Sequence, residues 1–189
     1  MKKKLKIVFA GSPKSSSTIL QSLIDNSDVE VPYVISQEPK RAKRGNKLLP
    51  TEVAIKATEN DIDLLEPRSL DEIKESITGF DFDFLLVAAY GKILPDWMLS
   101  APAYEPINVH YSILPKHRGA SPIQSTILAG DSEAGISIMK MTKGLDEGPI
   151  YKKFKIDIKE SDKEELEDKL SVIAAKNITS VLSEIKNKN

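Results

Sequence analysis

The 189-residue chain contains no cysteine, which excludes disulfides, thiol nucleophiles and thiolate metal centres. It holds only two histidines, His110 and His117, too few for an all-nitrogen metal site. Asp146 is available as a third ligand, yet no spacing asks for a metal, and none is expected. Of the nine glycines, only Gly11 follows the first apolar run, where a dinucleotide-binding turn needs three. A Walker A pattern is also missing. No apolar run approaches a membrane span, and Lys2-Lys3-Lys4 lacks a following hydrophobic region. The net charge of −1 argues against a protein that coats nucleic acid non-specifically. These absences lead us to expect a cytoplasmic monomer without membrane or DNA partners.

What is present alternates between strand and helix signals. Lys6–Ala10 is a continuous apolar run that reads as a buried parallel strand. Ser15–Asn26 then brings Ile19, Leu20, Leu23 and Ile24 onto one helical face. Val29–Ser36 reads as one strand, Gln37–Pro50 as a polar, basic loop, Thr51–Asn60 as a helix and Ile62–Leu65 as a short strand. Ser69-Leu70-Asp71-Glu72 is a capping-box pattern opening a helix. Phe84–Ala89 has the strongest buried-strand signal. Ser121-Pro122-Ile123-Gln124 is a second capping box with proline at the first helical position. Gly135–Met141 and Ile150–Ile158 read as strands, the latter one-sided. Ser161-Asp162-Lys163-Glu164 opens a last helix with an apolar stripe from Leu166 to Ile185. The expected fold is an α/β domain: an open, mostly parallel Rossmann-like sheet with helices on both faces.

In such sheets ligands bind beyond the carboxyl ends of the strands. Asn108 and His110, on the apolar run that starts at Ile107, are two residues apart and share one face. A carboxamide donor beside a group titrating near neutrality suits acyl-type transfer. Their plainer readings are a strand-ending turn asparagine and a partly buried histidine satisfied by a backbone carbonyl. Asp146, between Gly144 and Gly148, reads as a site residue or as a turn cap, and spacing does not choose. Ser112 lacks the glycine-flanked elbow of a hydrolase nucleophile. Tyr90-Gly91-Lys92-Ile93-Leu94-Pro95 follows the most buried strand and is placed to line an apolar pocket. Lys40–Lys47 carries five positive charges in eight residues, either a solvated loop or a phosphate-contacting arm. Lys116, His117 and Arg118 make a second, smaller basic patch.

Five collinear segments carry a resemblance. They are Phe9-Ala10-Gly11-Ser12-Pro13; Gln37-Glu38-Pro39 with Arg44-Gly45-Asn46-Lys47-Leu48; Ala89–Pro95; Ile107–Gln124; and Gly144-Leu145-Asp146-Glu147-Gly148. Together they resemble the N-terminal catalytic domain of the methionyl-tRNA formyltransferases, within the wider formyltetrahydrofolate-dependent transferases. The resemblance implies a catalytic trio of Asn108, His110 and Asp146. It implies a 10-formyltetrahydrofolate site from Tyr90, Gly91, Ile93, Leu94, Ser112, Leu114, Pro115 and Gly144. Initiator methionyl-tRNA is the implied acceptor, with Arg41, Lys43, Arg44, Lys47 and Arg118 touching it.

Two departures from the family pattern stand out. Position 111 is tyrosine where the tRNA-charging branch usually has glycine, and a ring there is placed to narrow the site, re-aim His110 or touch substrate. Residues 1–189 are also expected to be the catalytic domain alone, without the family's C-terminal tRNA-gripping β-barrel. Two rival functions remain at this point: formylation of an amino-sugar or nucleotide-precursor amine, and folate binding without turnover.

Overall fold

The computed structural model describes residues 4–41, 48–158 and 161–188. Lys43, Arg44 and Lys47, three of the residues expected to touch tRNA, lie outside the described residues. The chain runs β1 (Leu5–Gly11), α1 (Lys14–Ile24), β2 (Val29–Glu30), β3 (Tyr33–Ile35), β4 (Lys40–Arg41), β5 (Leu48–Leu49), α2 (Glu52–Glu59) and β6 (Asp63–Leu65). A 3-10 turn (Leu70–Ile73) leads into α3 (Lys74–Thr78), β7 (Phe84–Ala88), α4 (Asp96–Leu99) and β8 (Glu105–His110). Then come α5 (Pro122–Leu128), β9 (Glu133–Lys140), β10 (Ile150–Asp157) and α6 (Lys163–Lys188).

The main sheet has eight strands in the order β10-β9-β8-β7-β1-β3-β6, with β2 beside the start of β1. Pairing is parallel from β8 to β6, while β9 and β10 pair antiparallel at one edge. The mostly parallel sheet expected from the sequence is therefore observed. Strand alternation divides its side chains between two cores. Ile7, Phe9, Phe84, Leu86, Ile107 and Val109 face the apolar stripes of α1 and α6. Val8, Ala10, Leu85 and Val87 face the 3-10 turn, α3 and α4 through Leu70, Ile73, Ile77 and Met98. Full burial of each large aliphatic side chain contributes about 1.5–3 kcal/mol.

Some boundaries differ from expectation. The single strand expected over Val29–Ser36 is broken at Val31-Pro32, because proline cannot donate to a ladder and restrains the residue before it. The basic loop contains a two-rung antiparallel hairpin, Lys40 opposite Leu49 and Arg41 opposite Leu48. Ser69 does form its capping box, although the first turn it opens is 3-10. Ser121 does not: its ψ of 52° leaves no side-chain cap, since a cap needs the extended backbone that turns the hydroxyl back. The last helix is capped one residue later than expected, by Asp162 Oδ1 accepting from Glu165 N at 2.9 Å.

Gly11 lets the first helix close on the sheet. A Cβ there would lie 2.8 Å from Ser16 Cβ and 2.9 Å from the Ala88 carbonyl. That closeness lets the Ser16 hydroxyl donate to Ala88 O at 2.6 Å, joining α1 to the end of β7. Chain order reverses at β1, which has β3 on one side and β7 on the other. The crevice of such a sheet opens beyond the strand ends near that switch.

Candidate active site

A cleft of about 480 Å³ lies at the carboxyl ends of β7 and β8, lined by Tyr90, Gly91, Asn108, His110, Gly119, Leu145 and Asp146 among others. Among the described residues, five of the seven with positive φ belong to its walls or to the loop behind them: Ala89, Gly91, His117, Gly119 and Asp146. At Ala89, His117 and Asp146, which are not glycine, this is held backbone strain of the kind that collects at working sites. At the end of β7, the Tyr90 carbonyl accepts from Gln37 Nε2 at 2.6 Å. That hydrogen bond anchors Tyr90–Ile93 along the cleft.

Asn108 and His110 share a face of β8, as the i, i+2 spacing predicts. The Asn108 carboxamide is half-buried and has no side-chain hydrogen bond among the described residues, so its donors are free for a ligand. The His110 side chain is only 6% exposed. Its Nε2 lies 3.0 Å from the His117 carbonyl oxygen. A carbonyl only accepts, so Nε2 carries a proton and Nδ1 is the nitrogen left for chemistry. The plain reading of a carbonyl-satisfied histidine and the functional one therefore hold together. Asp146 Oδ2 is 3.6 Å from Nδ1, an ion-pair distance when the ring is charged. The same oxygen accepts from the Gly119 backbone N–H at 2.8 Å.

The structure thus brings the three expected catalytic residues together. Of the expected folate residues, Tyr90, Gly91 and Ile93 line the cleft. Leu94 is instead packed in the core beneath α4. Ser112 and Leu114 are buried behind the site, Pro115 is exposed and Gly144 is half-buried off the cleft wall. Arg118 is exposed and faces Glu147 Oε1 at 3.6 Å, while Arg41 lies exposed on the hairpin.

Tyr111 occupies the opposite face of the strand from His110, in the core shared with α1 and α6. Its ring is 6% exposed, lines the cleft, and its hydroxyl has no hydrogen bond among the described residues. Burial pushes its phenol far above the usual range, with nearby Ser15 opposing the rise and the Glu167 charge adding to it. The Tyr90 phenol is likewise pushed up to about 12 by burial, so both rings stay neutral at physiological pH. Sequence reasoning missed Gln37, Gln124, Lys163 and Glu167. The latter two arrive in the cleft because α6 packs on α1, where Ser15 Oγ donates to Glu167 Oε1 at 2.7 Å. The described residues contain no cluster of three or more His, Asp or Glu side chains able to hold a metal ion. None of their helices is long and apolar enough to cross a membrane.

The open α/β sheet thus gathers an amide donor, an imidazole and a carboxylate in one cleft beyond the end of β8. Residues 3–182 match the formyl transferase family, and the chain belongs to it. It is 42% identical over 159 residues to a methionyl-tRNA formyltransferase of Mesoplasma florum, covering 84% of this chain and 51% of that protein. It is 44% identical over 184 residues to one from the Wolbachia of Drosophila simulans, covering 96% of this chain and 61% of that protein. The chain therefore spans about half to three fifths of the length of these curated relatives. Its fold matches that of glycinamide ribonucleotide transformylase 1 from Symbiobacterium toebii, with a TM-score of 0.78, 22% identity and coverage of 95% of this chain and 86% of that one.

Proposed function

We propose that the cleft transfers the formyl group of 10-formyltetrahydrofolate to the α-amino group of methionyl-tRNA. The observation that carries this reading is the convergence of an unpaired Asn108 carboxamide, His110 Nδ1 and Asp146 at one strand end. Support for the acceptor comes from the identity to methionyl-tRNA formyltransferases over most of the chain. Ile93 and Leu145, both on the cleft wall, are 93% and 69% exposed, an apolar mouth of the kind that a flat donor covers.

The amine lone pair attacks the formyl carbon, and the carbonyl π pair moves onto oxygen. Asn108 donates a hydrogen bond to that developing oxyanion, worth about 3 kcal/mol by analogy with single oxyanion-hole donors. His110 Nδ1 accepts the proton from the attacking nitrogen and returns it to N10 of the folate. The oxyanion's pair then re-forms the carbonyl as the carbon–N10 bond breaks, and that bond's electron pair stays on the protonated N10. Asp146 faces the imidazolium during that passage. No covalent enzyme intermediate is required, which agrees with the chain's lack of cysteine.

Incubation of the full chain with 10-formyltetrahydrofolate and methionyl-tRNA is expected to give formylmethionyl-tRNA. Formylation of glycinamide ribonucleotide or an amino-sugar alone would replace the acceptor. Folate binding without transfer to any amine would remove the enzyme reading.

Arg41 and Arg118 are proposed to neutralise tRNA phosphates, both being exposed side chains. The double variant Arg41→Ala, Arg118→Ala is expected to weaken tRNA binding and flatten its salt slope by about 1 for each arginine removed. An unchanged slope in a filter-binding salt series would count against both.

A further inference from the structure

The loop from Ser112 to Gly119 touches two of the proposed catalytic side chains through its backbone alone. The His117 carbonyl accepts from His110 Nε2 at 3.0 Å, and the Gly119 N–H donates to Asp146 Oδ2 at 2.8 Å. The first half of this loop is fastened from within. Ser137 Oγ donates to Ser112 O at 2.7 Å and accepts from Leu114 N at 3.1 Å. Ser112 Oγ donates to Lys116 O at 2.6 Å.

The second half, which meets His110 and Asp146, has a different anchor. His117 Nε2 lies 2.7 Å from Asp131 Oδ2, the two side chains being 17% and 21% exposed. Asp131 sits in the turn between α5 and β9, where its own N–H donates to Thr126 O at 3.3 Å. Lys116 Nζ approaches its other oxygen at 3.4 Å. The His117 hydrogen bond, helped by Lys116, holds the Asp131 carboxyl below the usual carboxylate range. The backbone of His117 has φ +55°, a left-handed conformation that a non-glycine residue keeps only when its surroundings enforce it. Beyond the two contacts to His110 and Asp146, Arg118 adds only an exposed approach to Glu147 Oε1 at 3.6 Å among the described residues.

We propose that the His117–Asp131 pair is a positioning device for the reaction: it fixes the loop carbonyl that sets the tautomer and orientation of His110. The inference rests on the formyl-transfer reading of the cleft. Neither His117 nor Asp131 lines the cleft. Asp131 holds the His117 ring, the ring fixes the loop backbone, and the His117 carbonyl keeps the proton on His110 Nε2, leaving Nδ1 facing Asp146. Without the anchor, the carbonyl is free to swing, and the ring can flip or change tautomer.

The test uses the full chain with ¹⁵N-labelled histidine. In the wild type, His110 is expected as the Nε2–H tautomer. In Asp131→Asn and His117→Ala, signal from the Nδ1–H tautomer is expected to appear. Turnover should fall about 10-fold while the KM for folate stays within about twofold, because misplacement of a reacting group acts on the chemical step. His117→Gln, which keeps an N–H able to reach Asp131, is expected to restore most of the turnover. Wild-type kcat with an unaltered His110 spectrum would overturn the proposal. So would a loss of activity that merely follows a lowered melting temperature while the tautomer is unchanged. If the wild type transfers formyl to no acceptor, the tautomer measurement still decides the positioning role by itself.

Discussion

His110→Ala is expected to lower kcat/KM for formyl transfer by about 10²–10⁴-fold, the range that a positioned acid–base group supplies. The expectation rests on atoms rather than on the presence of a histidine. One ring nitrogen is committed to the His117 carbonyl at 3.0 Å, so the whole proton traffic falls on Nδ1. Alanine removes that nitrogen and nothing near it substitutes: the Asp146 carboxylate is 3.6 Å from the deleted atom and tied to Gly119. Because the ring is buried, the truncation also opens a small void, and folding must be checked by circular dichroism. His110→Gln provides the second variant. It fills similar volume and can donate to His117 O, yet it has no basic nitrogen, so it should fold well and remain inactive. Asn108→Ala is expected to lose about 10²–10³-fold, as single oxyanion donors do. Near-wild-type turnover in His110→Gln would show that the proton travels through solvent and not through the ring.

Much of the fold is legible in the sequence because its signals are local. The Lys6–Ala10 and Phe84–Ala89 runs predict central strands, and both are buried on two faces. Asn108 and His110 are legible as a pair because strand alternation alone puts them on one side. Asp146 is not: it stands 36 residues beyond His110 in sequence, and only the family resemblance marks it before the structure places its carboxylate beside the ring. The groups that steer these side chains are illegible for a deeper reason. The His117 carbonyl and the Gly119 N–H have counterparts all along the chain, and only the loop's path decides that these two point inward. Lys163 and Glu167 reach the cleft through packing of α6 on α1, across some 150 residues of sequence, as Ser15 with Glu167 shows. Tyr111 is the converse. Its bulk suggests interference with His110; the same alternation that pairs Asn108 with His110 turns Tyr111 toward the core shared with α1 and α6, from where its ring still lines the cleft.

Gly148→Ala is expected to destabilise the protein by about 3 kcal/mol, at the upper end of overpacking costs, and to cut turnover of the folded fraction about 100-fold. A Cβ at this position would fall inside the van der Waals shell of the Lys140 carbonyl oxygen and lie 3.3 Å from Thr142 Cγ2. The obstacle is backbone, and that backbone is held: Lys140 N–H donates to Pro149 O at 2.9 Å, while Lys140 Nζ meets Glu105 at 2.7 Å. The strand end therefore resists, and the 141–149 loop must yield. Asp146 lies two residues from the clash, in a left-handed conformation with φ +53° that needs its surroundings intact. Displacing it by about 1 Å breaks the Gly119 hydrogen bond and moves the carboxylate away from His110, and a misplacement of that size costs on the order of 10²-fold. Thermal melting should show the stability loss as a fall of about 10 °C for a chain of this length. Single-turnover formyl transfer below that transition should show the catalytic loss separately. A variant that melts early but transfers formyl at the wild-type rate would mean that Asp146 does not need its present position, and the carboxylate would drop out of the mechanism.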